Sequence, residues 1–145
     1  MPLSVQDGGT WRSVKNVYVN DAGTWRLLEK SYANDAGTWR LGHQKFSATV
    51  DDPAPYGQDS GGAIQTSAVT VTPTGGWPGY SYSWSVFSNT SGFTVAIGSP
   101  NSNSTYFLMQ VGGVTGAFGA TFRCTITDSI GQSVTVDVSA MFYAI

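Results

Sequence analysis

The sequence predicts an all-β protein: three short tryptophan-bearing β-hairpin repeats followed by an antiparallel β-sandwich. Three observations carry this expectation. A turn motif recurs up to Arg40 with its tryptophans 14 residues apart, at Trp11, Trp25 and Trp39. Several later stretches alternate apolar and polar residues with a period of two, the signature of half-buried strands. The composition points the same way, with 18 glycines and 13% aromatic residues among 145, which favours strands and turns over helices. Only 11% of residues are charged, well under the roughly 25% of an average soluble protein, so Ser, Thr, Asn, Gln and Gly must keep the surface wet.

The repeats read DGGTWR from Asp7, NDAGTWR from Asn20 and NDAGTWR from Asn34. Asn-Asp-Ala-Gly suits a type I turn closed by a left-handed glycine, the common three-residue hairpin loop. With Asp21-Ala22-Gly23 as that loop, Val19 faces Trp25, Tyr18 faces Arg26 and Val17 faces Leu27. Val17, Val19, Trp25 and Leu27 then form an apolar face, and Tyr18 meets Arg26 on the other in a cation–π contact. The third copy places Ala33, Trp39 and Leu41 on the apolar face, with Tyr32 opposite Arg40; the first places Leu3, Val5 and Trp11 there. A unit of this size without disulfide or metal lacks a sufficient core of its own. The repeats either form a small cap or pack on copies of themselves, on the second unit or on a larger structure. Trp11, Trp25, Trp39, Arg12, Arg26, Arg40, Tyr18 and Tyr32 are the candidate assembly residues.

The division falls at residues 1–43 for the repeats and 44–145 for the sandwich. Charge breaks near the same place: six bases against four acids up to Lys45, one base against five acids beyond it. The stretch from Asp51 to Gly62, DDPAPYGQDSGG, reads as a linker or a long loop. Beyond it, Tyr80, Tyr82, Trp84 and Val86 alternate with serines. Ala120, Phe122, Cys124 and Ile126 alternate with Thr and Arg, and Val134, Val136, Val138, Ala140 and Phe142 share a face. The DSIGQ turn at Asp128–Gln132 joins the last two strands. Weaker strands are expected near Phe46–Val50, Ile64–Thr72, Phe93–Ile97 and Thr105–Val111.

Composition excludes several functions. A net charge of -2 and a pI near 5.0 provide no basic field for nucleic acid, and no apolar run is long enough to cross a membrane. The first residues lack the charged and apolar regions of a signal peptide. The single cysteine, Cys124, is expected to be an inert core thiol. His43, the single histidine, has no nucleophile motif beside it, and no phosphate or dinucleotide fingerprint occurs. No cofactor and no catalytic residue is expected. Asp51, Asp52 and Asp59 are loop carboxylates that serve turns or, alternatively, hold calcium, although EF-hand spacing is missing. Trp77 falls in the GGWPGY loop. Either it lids one end of the core, or, with Tyr80, it offers an exposed platform for a sugar ring or a protein partner.

Two resemblances extend this reading. Tandem YVNDAGTWR-type units, covering Val5 to Arg40, resemble those of tailed-bacteriophage structural proteins, especially tail and fibre-like ones. That implies a virion location, other tail or capsid proteins as partners, and a homo-oligomer, with a trimer the form fibre-like proteins suggest. A tail, baseplate or fibre position is favoured over capsid decoration, and a host surface glycan is a further candidate partner. The second unit resembles immunoglobulin-like or PKD-like domains. VTVTPTGGWPGYSYSW ends in the core tryptophan, Trp84, and FRCTITDSIGQSVTVDVS forms the last hairpin. The family's partner cysteine is missing, with Val71 near its place, and Phe122 replaces the corner tyrosine.

Overall fold

The computed structural model describes residues 4–35 and 38–145. Those residues form an all-β fold with several antiparallel sheets and no helix. They divide into two compact units: Met1–Ser47 with Pro73–Tyr80 and Thr127–Ser133, and the remainder from Ala48 onward.

In the first unit the strands are β1 (Ser4–Asp7), β2 (Thr10–Ser13), β3 (Tyr18–Asp21), β4 (Thr24–Leu27), β5 (Lys30–Asp35) and β6 (Thr38–Gln44). They pair as three separate two-stranded sheets, β1 with β2, β3 with β4, and β5 with β6. The register differs from the expected one by a residue. Asp21 pairs with Thr24, Asn20 with Trp25, Val19 with Arg26 and Tyr18 with Leu27. The loop is therefore two residues, Ala22 and Gly23, both at positive φ (49° and 88°). Gly8 and Gly9 turn the first hairpin in the same way, at 55° and 83°. Two positive φ angles define a type I′ turn, whose twist matches that of the strands it joins, whereas a type I turn would splay them. The Asn20 side chain supports the turn by accepting the Gly23 N–H at 2.8 Å.

The second unit contains β7 (Ser47–Val50, beginning at its border), β8 (Tyr56–Asp59), β9 (Ala63–Gln65), β10 (Val69–Thr74), β11 (Ser81–Asn89), β12 (Thr94–Ile97), β13 (Ser104–Thr105), β14 (Phe107–Gln110), β15 (Gly116–Thr127) and β16 (Ser133–Ala144). Pro73 and Thr74 of β10, Thr127 of β15 and Ser133 of β16 belong to the first unit. Strand orders are β11-β15-β16-β8, β12-β14-β9 and β13-β10-β7. β8 lies within the Asp51–Gly62 stretch expected to be a linker or loop, and pairs in parallel with β16, Tyr56 beside Met141 and Asp59 beside Ala144. Its polar, proline-flanked sequence hid it: edge strands need little hydrophobicity when one neighbour supplies the ladder. Gly57 is buried here, and a Cβ on it would collide with the Gln65 carbonyl oxygen and lie 3.0 Å from the Ile64 Cγ2.

Alternation in the later strands places the core. Ala120, Phe122, Cys124 and Ile126 are buried, as are Val138, Ala140 and Phe142. Trp84 is buried edge-on against Phe107, with centroids 5.5 Å apart, and Phe107 stacks on Phe122 at 3.9 Å. The Trp84 indole N–H donates to the Ser102 carbonyl at 2.9 Å, so the ring is buried without stranding its donor. Val86, expected to continue the Trp84 face inward, is 44% exposed. On the outer surface of this sheet Arg123 grips Asp137 through two bonds of 2.6 and 2.7 Å and lies 3.7 Å from the Phe87 ring centre.

Candidate functional site

The repeats concentrate the sequence-predicted site residues. Because cross-strand partners share a face, the observed register groups Tyr18, Asn20, Trp25 and Leu27 together. Val19, Asp21, Thr24 and Arg26 lie on the other side. Trp25 is 69% exposed and Tyr18 53%, so an aromatic face stands open to solvent. The expected cross-strand contact of Tyr18 with Arg26 does not form, because the one-residue shift puts them on opposite faces. Arg26 pairs with Asp21 instead at 3.3 Å, and Arg12 pairs with Asp7 at 3.6 Å. The repeat thus couples its turn aspartate to its arginine across the strands, an ion pair legible only once the register is known. The other copies keep this backbone register, with Gln6 opposite Trp11, Val5 opposite Arg12, Asn34 opposite Trp39 and Tyr32 opposite Leu41. Val5 therefore pairs with Arg12 rather than sharing a face with Trp11, and Tyr32 is not opposite Arg40; Tyr32 is 55% exposed. Leu3 and the side chains of Trp11, Ala33, Trp39, Arg40, Leu41 and His43 lie outside the described residues.

The Trp77 loop is built differently from an open platform. Trp77 is half-buried. Its N–H donates to the Asp128 Oδ2 at 3.0 Å, and its carbonyl accepts the Ser129 N–H at 3.2 Å. Tyr80 stacks on Phe46 at 5.7 Å and 14°, and its hydroxyl donates to the Gly75 carbonyl at 2.6 Å. The organiser is Asp128, read in the sequence only as part of a turn. It is buried, and besides Trp77 it accepts the N–H groups of Ile130 (3.1 Å) and Gln132 (2.8 Å) and the Gln132 side-chain amide (3.0 Å). Four donors around one carboxylate satisfy a charge that would otherwise be costly to bury.

The remaining candidates have local work. Asp51 accepts the N–H groups of Asp52 and Thr70, Asp52 that of Ala54, and Asp59 that of Gly61. Among the described residues no group of three or more His, Cys, Asp or Glu side chains could hold a metal ion. Burial pushes the Cys124 thiol up to about 11, against a smaller opposing effect of a backbone hydrogen bond at Ser83. A thiol so protonated is a poor nucleophile.

No family model matches this sequence, and no curated protein does. Among solved structures, a nucleoside hydrolase-related hypothetical protein from Saccharophagus degradans, associated with carbohydrate metabolism, aligns over 75% of this chain and 28% of its own, with 12% identity and a TM-score of 0.48. The periplasmic chaperone SfaE aligns over 68% of this chain and 57% of its own at 10% identity and a TM-score of 0.43. A conjugative transposon lipoprotein from Bacteroides eggerthii covers 66% of this chain and 95% of its own, at 10% identity and 0.37. The chain spans about a quarter of the length of the first and somewhat over half of the second. At these scores the likenesses assign no function.

Proposed function

We propose that this chain is a non-enzymatic structural protein of a tailed-phage particle, in a tail, baseplate or fibre position. Its tryptophan hairpins anchor it through homo-oligomer or particle contacts, and an immunoglobulin-like sandwich is displayed. The observation that carries the anchoring role is the solvent-exposed Tyr18–Trp25 face on hairpins that form only two-stranded sheets. An isolated two-stranded hairpin is marginal in water, and an aromatic face of this kind is stabilised by covering it. The immunoglobulin-like reading is supported by Trp84 packed on Phe107 beside the buried Cys124 strand. The particle assignment rests on resemblance of the repeats.

The test is incorporation. Particles carrying Trp25→Ala should lose the protein while the purified variant keeps its far-UV circular dichroism and melting temperature; continued incorporation would overturn the anchoring role. Immunogold labelling with antibody against residues 46–145 then decides position. Gold at the tail tip or fibres supports the proposal, gold over the capsid moves it to decoration, and unlabelled particles remove it. The Trp77 loop is the less favoured carbohydrate platform, because the Tyr80 ring and hydroxyl already serve Phe46 and Gly75.

A further inference from the structure

A second surface, on the sheet β11-β15-β16-β8, has the composition of a binding site and no part in the anchoring described above. A groove of about 260 Å³ opens there. Its lining includes four hydroxyl-bearing residues, Ser88, Thr90, Thr121 and Ser139, together with Gly119 and Met141, and none of its lining residues is charged. A Cβ on Gly119 would come within 3.3 Å of the Met141 sulfur, so a side chain there would take up part of this space. Immediately beside Met141, in register on the neighbouring strand, stands Tyr56. Tyr56 is 63% exposed and held edge-to-face against Tyr143 at 6.2 Å, so one ring orients the other.

We infer that this groove binds a neutral saccharide, with one ring in the hydroxyl-lined trough and the next against Tyr56. Two features select that ligand class. The hydroxyls are both donors and acceptors, as a sugar's are, and the charges nearest to them along the two strands, Arg123 and Asp137, are already engaged with each other. An exposed aromatic ring next to the trough matches the C–H face of a pyranose. The groove lies chiefly over the interior strands β15 and β16, with Ser88 contributed by the edge strand β11. The volume lies below the roughly 300–1,000 Å³ of drug-sized pockets, in keeping with a small ring.

The inference is independent of the virion reading and is tested on the full chain. Amide chemical shifts are followed during titration with cellohexaose, chitohexaose and maltohexaose, each to about 100 times a micromolar-range dissociation constant. At least one sugar is expected to shift the amides of Gly119–Thr121 and Ser139–Met141. Ser139→Arg, which fills the trough from an exposed position, should weaken that sugar at least tenfold, and Tyr56→Ala several-fold, while Trp77→Ala leaves it unchanged. Unaltered melting of each variant keeps loss of binding distinct from loss of fold. The inference is overturned if none of the three sugars moves these amides, if the shifts fall on residues 73–80 instead, or if a peptide library, and no sugar, occupies the groove.

Discussion

Asp128 shows how one side chain can hold two loops in place. Asp128→Ala would leave the N–H groups of Trp77, Ile130 and Gln132 without their acceptor. A loss of about 3 kcal/mol is expected in denaturant unfolding, with Asp128→Asn recovering part of it. Ala22 illustrates the opposite case, a residue that its conformation does not suit. Its φ of 49° is costly for any residue with a Cβ, while Gly8 occupies the matching place in the first hairpin. Ala22→Gly should therefore stabilise the second hairpin by about 1 kcal/mol, read as slower amide exchange across β3 and β4. Cys124 provides a pH signature. The folded chain retains a thiol proton that the unfolded chain releases at its ordinary value. Stability should thus fall as pH rises from 9.0 to about 11, and a thiol reagent at pH 8 should react only after unfolding. Rapid labelling of the native protein would contradict the burial.

At the scale of elements, the existence of the hairpins was legible from the 14-residue repeat, but their faces were not. Asn-Asp-Ala-Gly fits two loops that differ by one residue, and a one-residue slip moves every side chain to the other face. Sequence favours the three-residue loop because alanine resists positive φ; the strand twist selects the shorter one. The long strands were legible for a related reason. Residues 120–126 and 138–142 alternate strictly, and one face of each is buried. β8 was not legible, because its pairing is parallel and its partner lies more than 80 residues away in sequence, beyond any local pattern. Its signal was Gly57, a glycine between polar residues where backbones approach closely. Gly57→Ala should cost several kcal/mol, since the obstacle is the Gln65 carbonyl rather than a flexible side chain. A thermal melt close to that of the native protein would show that the two segments can move apart.

For the whole molecule, the exposed aromatic face makes association the expected behaviour in solution. Sedimentation should show a species heavier than the 15.3 kDa monomer that dissociates on dilution. Combining Trp25→Ala with Tyr18→Ser should return it to monomer while changing unfolding of the monomer by less than about 0.5 kcal/mol, because both side chains are exposed there. Of the Asp128 clamp the sequence showed only the DSIGQ turn; its bond to Trp77, 51 residues away, and the hydroxyl-lined groove join segments distant along the chain that no motif links. The pairing of β8 with β16 also sets an order of events during synthesis. Residues 56–59 cannot complete their strand ladder until residues 141–144 have been made, whereas each hairpin closes within 15 residues of chain. If the hairpins are the anchoring surface, every residue of that surface is therefore synthesised before the larger unit can complete its sheet.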